Sequence, residues 1–159
     1  MAIAAGGASR GRSSPQSGSP APAGDDAPDG FAPIVHGAPF GALIGPIYER
    51  TQDDGFVRAI RVSEKHTGGS GRAHGGLLMS FADIVLARAV HGSTGRPMVT
   101  VRLVTEFIAP VSLGAWLEGT AWVTRQGRSL VFVAGEFTVG RRTVATASAT
   151  FNLRRARPR

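Results

Sequence analysis

One stretch, GRAHGGLLMSFADIVLARAV from Gly71 to Val90, limits the folds open to this chain. Leu77, Leu78, Phe81, Ala82, Ile84, Val85, Leu86 and Ala89 place apolar groups on nearly every side of a helix expected from about His74 to His91. Gly92 is its expected C-cap, with Pro97 beyond. A helix apolar all round is one surrounded by protein. In a chain of 159 residues, which suffices for one domain with a single core, a sheet curled around the helix is the economical cover. Two features of the stretch do not serve packing. A lone acid, Asp83, stands in its middle, and His74-Gly75-Gly76 opens it.

The flanking sequence supplies such a sheet. IYER, TQDDG and FVRAIRVSEKH read as strand, turn and strand from Ile47, and the glycine-rich loop TGGSGRA leads into the helix. After the helix, Val99, Val101, Leu103, Thr105 and Phe107 alternate with Thr100, Arg102, Val104, Glu106 and Ile108, until Pro110 ends the run. AWLEGTAWVTRQ, SLVFVAGEFTV and TVATASATFNL follow, with turns at Gly127-Arg128 and at GRR. Strands this close in sequence favour antiparallel hairpins, so the four after the helix read as a meander. The expected class is α+β, a long helix wrapped by five to six antiparallel strands. Phe31 to Gly45, punctuated by prolines, has room for one short helical turn.

Composition narrows the classes further. Residues 1–30 are rich in Gly, Ser, Pro and Ala and cannot bury enough surface to offset the entropy of ordering, so disorder is expected there. The domain is expected over residues 31–153, with a basic tail, RRARPR, at 154–159. The net charge of +7 invites a nucleic-acid reading. However, the tail carries four of the arginines, residues 1–30 carry two Arg against three Asp, and no aromatic interleaving accompanies the basic groups. No nucleic-acid partner is expected. There is no cysteine, no apolar run long enough to span a bilayer and no continuous apolar segment at the N-terminus. A cytoplasmic protein without membrane contact is the expectation. His36, His66 and His91 show no metal-ligand spacing and read as surface or loop residues, so no metal is expected.

The two odd features of the helix have a chemical reading. An acid in an apolar helix is costly unless it is compensated or faces a solvated cleft, and burial tunes a carboxyl toward general-base work. The first amides of a helix lack intrahelical acceptors and lie at its positive end, where they can stabilise an oxyanion. Gly75 and Gly76 let another group approach those amides. Gly75 and Asp83 nevertheless lie roughly 12 Å apart along one helix, too far to act on one carbonyl. Two antiparallel copies of the helix about a two-fold axis would set Gly75 of one chain against Asp83 of the other, giving a C2 dimer with two equivalent sites.

HGGLLMSFAD after a glycine-rich loop, with an acid nine residues after the His, resembles the hotdog-fold acyl-CoA thioesterases, in particular the phenylacetyl-CoA thioesterase-like branch. The resemblance covers roughly residues 40–153 and extends to VTVRLVTEFIAP and to the hairpin RQGRSLVFVAGEF. It implies a hotdog fold, an acyl-CoA substrate and homodimers with room for tetramers. No separate cofactor is implied, because coenzyme A is part of the substrate. Carried onto this sequence, Asp83 is general base or nucleophile, and the Gly75 amide, with Gly76 beside it, binds the thioester carbonyl. Thr100 orients the water, and His74 supports the loop or the sulfur. Arg125, Arg128 and Ser129 lie toward the nucleotide end of coenzyme A. The chain departs from the pattern at one position. Relatives often have Asn or Gln six residues before the His, where this chain has Gly68, so one carbonyl donor is missing unless His66 or Ser70 replaces it.

Other readings use the same residues. A hydratase or dehydratase of acyl thioesters would pair His74 with the acid. A binding module would keep the fold without turnover. Asp83 could instead pair with Arg88, Thr100 could be an ordinary strand residue, and Trp116 and Trp122, on one strand face, could be packing groups.

Overall fold

The computed structural model describes residues 27–35 and 38–154. His36, nearly all of the segment expected to be disordered and the tail beyond Arg154 lie outside the described residues. The elements run β1 (Ala32–Pro33), α1 (Pro39–Ile44), β2 (Ile47–Gln52), β3 (Gly55–Arg61), α2 (Gly75–Thr94), β4 (Met98–Phe107), β5 (Trp116–Gln126), β6 (Leu130–Val139) and β7 (Arg142–Leu153), with a 3-10 turn at Glu64–His66. One antiparallel sheet of seven strands in the order β1-β2-β3-β5-β6-β7-β4 wraps α2. The seventh strand is β1, two residues that continue the sheet beyond β2. No helix among the described residues is long and apolar enough to cross a membrane.

The sheet grips α2 through large apolar groups. Phe81, Val85, Leu86 and Val90 are fully buried against Leu117, Val131, Phe137 and Phe151. The Phe81 and Phe137 rings meet edge to face, with centroids 5.9 Å apart. Burying each such side chain contributes roughly 1.5–3 kcal/mol. Gly119 makes the close approach possible, since a Cβ there would lie 2.7 Å from the Phe137 ring and 3.1 Å from Val85.

Three expectations fail in ways that shape the site. The helix does not end at Gly92. It continues to Thr94, where the hydroxyls of Ser93 and Thr94 donate to the Val90 carbonyl, and Gly95 at φ 61° closes it with its amide on His91 O. The four strands after the helix are not a meander, because β5 pairs with β3 and β4 crosses to the far edge beside β7. Among the described residues, a ten-residue strand therefore has one unpaired edge. Finally, the wrap is incomplete. Gly75, Met79 and Asp83, spaced four apart, form a stripe outside the buried face, and Met79 is 43% exposed.

Candidate active site

The open stripe of α2 lies beside β4. A β-bulge between Thr100 and Arg102 interrupts the strict alternation expected for this strand. Beyond the bulge, Leu103, Thr105 and Phe107 pair with the inward-facing Ala149, Ala147 and Ala145; before it, Thr100 pairs with the buried Phe151. The bulge thus puts Thr100 on the helix side together with Leu103, where simple alternation would have separated them. Thr100 Oγ1 donates a 2.8 Å hydrogen bond to Asp83 Oδ1. Asp83 is half-buried and has no bond to Arg88, whose guanidinium instead holds Glu49 at 3.1 Å.

At the other end of the stripe, His74 is the N-cap of α2, and its Nδ1 accepts from the Gly76 amide at 2.9 Å. The Gly76 amide, expected beside the thioester carbonyl, is engaged by His74 in this structure. Gly75, the first residue of the helix, has an amide without an intrahelical acceptor. Shallow cavities of about 350 Å³ flank this helix tip on both sides. One is lined by Gly75, Leu78 and Phe107 to Val111; the other is lined by His66, Thr67, His74, Gly76 and Ser80, with Phe40, Ile44, Lys65 and Leu77. Gly68 approaches the same tip, since a Cβ there would lie 3.6 Å from His74 Cδ2. Its amide donates to Arg72 O, so it offers the site neither a side chain nor its own amide.

His66 does not fill that gap. Expected as a surface or loop residue, it lies in the connection between β3 and α2 but is 5% exposed, so it is buried there. Its Nδ1 accepts from the Ser63 amide at 3.0 Å and its Nε2–H donates to Ile44 O at 2.7 Å. Burial holds its pKa below the usual 6.5, helped by the Lys65 charge and opposed by the bond to Ile44 O. Lys65 donates to Leu43 O and Gly45 O, so these two side chains together fasten the end of α1.

Arg125, Arg128 and Ser129 lie at the β5–β6 hairpin, around an open groove of about 710 Å³ shared with Thr124, Gly127, Leu130 and Phe132. Both arginines are exposed, and Arg96 Nη1 donates to Arg128 O. This hairpin stands near the C-terminal end of α2, away from Gly75 in the same chain. Trp116 packs against Phe31 and Tyr48, with centroids 5.2 and 5.1 Å apart, whereas Trp122 is 52% exposed and packs little within the chain.

Comparison with known proteins agrees with this architecture. Residues 70–146, the segment from the loop before α2 into β7, match the family model described as "Thioesterase superfamily". The Pseudomonas aeruginosa protein named "Putative esterase PA0474" is 38% identical over 129 residues, covering 79% of this chain and 96% of that protein. Human acyl-coenzyme A thioesterase 13 is 32% identical over 80 residues, 50% of this chain and 57% of that enzyme. Among solved structures, the PaaI protein from the phenylacetic acid degradation operon of E. coli superposes with a TM-score of 0.68 at 26% identity, covering 75% of this chain and 86% of that one.

Proposed function

This chain belongs to the thioesterase superfamily, and from that premise we infer that it hydrolyses acyl-CoA thioesters in a site shared by two copies of itself. The observation that carries the reading is the Asp83 carboxylate, held by Thr100 at 2.8 Å on a stripe that the sheet leaves open, with an unclaimed helix-tip amide at Gly75 on the same stripe. Within one chain the two are separated by roughly 12 Å of helix. The unpaired edge of β4 offers a way to close that distance. Val99, Val101, Phe107 and Ile108 are exposed along or just beyond it, as an edge awaiting a partner would be. Antiparallel pairing of two β4 edges lays two α2 stripes side by side, and Met79, midway between residues 75 and 83, sits on the two-fold axis.

In that arrangement the thioester carbonyl accepts a hydrogen bond from the Gly75 amide of one subunit. Asp83 of the other takes a proton from a water as the water oxygen attacks the carbonyl carbon. Thr100 fixes the carboxylate so that its second oxygen faces the water. Collapse of the tetrahedral intermediate breaks the carbon–sulfur bond, the thiolate takes up a proton, and the products are the free acid and coenzyme A. Direct attack by Asp83, giving an anhydride that water then cleaves, uses the same geometry. His74 keeps its capping bond to Gly76 throughout and orients the helix tip. From Asp83 to the end of α2 is roughly 16 Å. An extended pantetheine arm covers a comparable length, which puts Arg125 and Arg128 within reach of the phosphates.

Gly68 supports a second reading, a module that binds acyl-CoA without turnover, since a missing oxyanion donor typically costs roughly 100-fold or more in rate. Thiol release from short, medium, long and aromatic acyl-CoAs separates the two. The thioesterase reading expects turnover on at least one class, lost by about 1,000-fold in Asp83→Ala while the two-chain mass and acyl-CoA binding persist. Binding without turnover in the unmodified protein sinks it in favour of the module.

A further inference from the structure

Six residues, Pro39–Ile44, make up α1. A helix this short is unstable by itself, because few bonds form against the cost of starting it. Among its residues only Gly41 is buried, while Phe40 and Leu43 are 54% and 69% exposed, and its N-cap Ala38 offers no side-chain bond. It is held by its C-terminal end, where the last carbonyls of a helix lack partners within it. Gly41 O accepts from the Gly45 amide, Leu43 O and Gly45 O accept from Lys65 Nζ, and Ile44 O accepts from His66 Nε2–H at 2.7 Å. Lys65 is exposed, so water competes for its bonds. His66 is buried, and its bond is the one that water does not replace.

The two ring nitrogens of His66 do separate work. Nδ1 accepts from the Ser63 amide at 3.0 Å and closes the 3-10 turn, which leaves the proton on Nε2, the atom that reaches α1. The main chain of the same residue reaches α2, since His66 O accepts from the His74 amide at 2.8 Å. One residue therefore sets the distance between α1 and the tip of α2. Between them lies the cavity of about 350 Å³, with Phe40 and Ile44 on one side and Gly76, Leu77 and Ser80 on the other.

We propose that His66 is a positioning residue for substrate: through Ile44 O it fixes α1 as the wall of a groove that receives the acyl group. The proposal deepens the shared-site reading and rests on it for the place of the carbonyl. A carbonyl on the Gly75 amide sends its two substituents to opposite sides of the helix tip. The partner subunit's Arg125 and Arg128 lie across the β4 seam, so the sulfur and the coenzyme arm leave on the β4 side, past Phe107. The acyl group has the α1 side, where Gly76 and Ser80 adjoin Gly75 and Met79 on the open face of α2. There Phe40, Ile44 and Leu77 give it apolar contact. His66 acts through α1 and not on the carbonyl.

The test uses the full chain and two ligands without a thioester bond, coenzyme A and its hexyl thioether. Calorimetry reads both affinities, and thiol release from hexanoyl-CoA gives KM and kcat. The unmodified protein should bind hexyl-CoA about tenfold more tightly than coenzyme A. His66→Asn keeps an acceptor for the Ser63 amide but has no donor for Ile44 O; His66→Gln has that donor. His66→Asn should weaken hexyl-CoA and raise KM by about tenfold, with kcat and the affinity for coenzyme A within about threefold, and His66→Gln should recover most of the loss. A role confined to the turn would reverse the order, with Asn harmless and Gln damaging, and would overturn the proposal. Phe40→Ala leaves every bond at the end of α1 in place. It should weaken hexyl-CoA by about fivefold and leave coenzyme A unchanged, and it decides the question of the groove should His66→Asn fail to fold. Equal loss of both ligands in a folded His66→Asn, undiminished hexyl-CoA binding in Phe40→Ala, or equal affinities in the unmodified protein would each overturn the proposal. The expected binding pattern without any thiol release would instead sink hydrolysis and leave the role of His66 standing.

Discussion

The two flanks of α2 are finished differently. On the side of β2, β3 and α1, polar groups find partners inside the chain. Glu49 accepts from Arg58 at 2.8 Å and from Arg88 at 3.1 Å, Arg58 also donates to Ile84 O, and Lys65 with His66 closes the end of α1. On the side of β4, a strand edge, a helix-tip amide and an apolar stripe have no partner among the described residues. The first flank behaves as a domain interior and holds α2 in place. In the proposed function the second is half of a shared site, and Gly75, Asp83 and Thr100 lie on it. A lone acid on a greasy helix is therefore explained by where the sheet stops rather than by what the helix packs against.

Charging the open flank should have the largest effect. Met79→Glu sets two like charges face to face on the seam axis; it should reduce the protein to single chains and lower thiol release by 100-fold or more, with the fold intact by circular dichroism. Full activity from single chains would break the comparison. On the closed flank the effect should be stability without chemistry. Glu49→Ala leaves Arg58 and Arg88 uncompensated, and about 3 kcal/mol, or roughly 10 °C in midpoint, should be lost in thermal unfolding while activity well below that midpoint is kept.

A smaller change sharpens the boundary between the flanks. Gly68→Asn adds a side-chain amide next to His74 where a Cβ has ordinary contact distance, and it should raise kcat by about tenfold. An unchanged or lower kcat would mean that the amide does not reach the carbonyl. The smallest effects are those of pH on the closed flank. The folded pKa of His66 is below 6.5, so its contribution is complete above that value and is lost as pH falls from 6.5 toward the lowered value, because the unfolded chain protonates first. For Glu49, burial pushes the pKa up, but the bonds and charges of Arg58 and Arg88 together hold it below 4.5. Its contribution is present above 4.5 and is lost as pH falls through the lowered value. A thermal midpoint that declines from pH 6.5 downward, with a shallower decline in His66→Gln, would bear this out.

The helix and most strands were legible because apolar periodicity reports burial directly. The separation of Asp83 from Gly75 could be read from the sequence because it is set by helix geometry alone. What could not be read depended on contacts remote in sequence. The bulge after Thr100 leaves no mark in VTVRL, yet it decides which face Thr100 occupies. The crossing of β4 to the far edge follows from the helix connection rather than from the strand's own residues. The cap at Gly95 in place of Gly92 depends on hydroxyl bonds to Val90 O that GST does not announce. His66 gave no hint of burial, because its partner Ile44 lies 22 residues away.

Subunit complementation tests the shared site most directly. Gly75→Pro removes the amide at a first-turn position that tolerates proline, and His74 already has the extended backbone that a following proline requires. Asp83→Ala removes the carboxylate. Each variant alone should be inactive. After the two are unfolded together and refolded as an equal mixture, half of the dimers should hold one chain of each kind and therefore one intact site, giving about a quarter of normal thiol release. A mixture as inactive as its components, although mass spectrometry shows mixed dimers, would contradict the account.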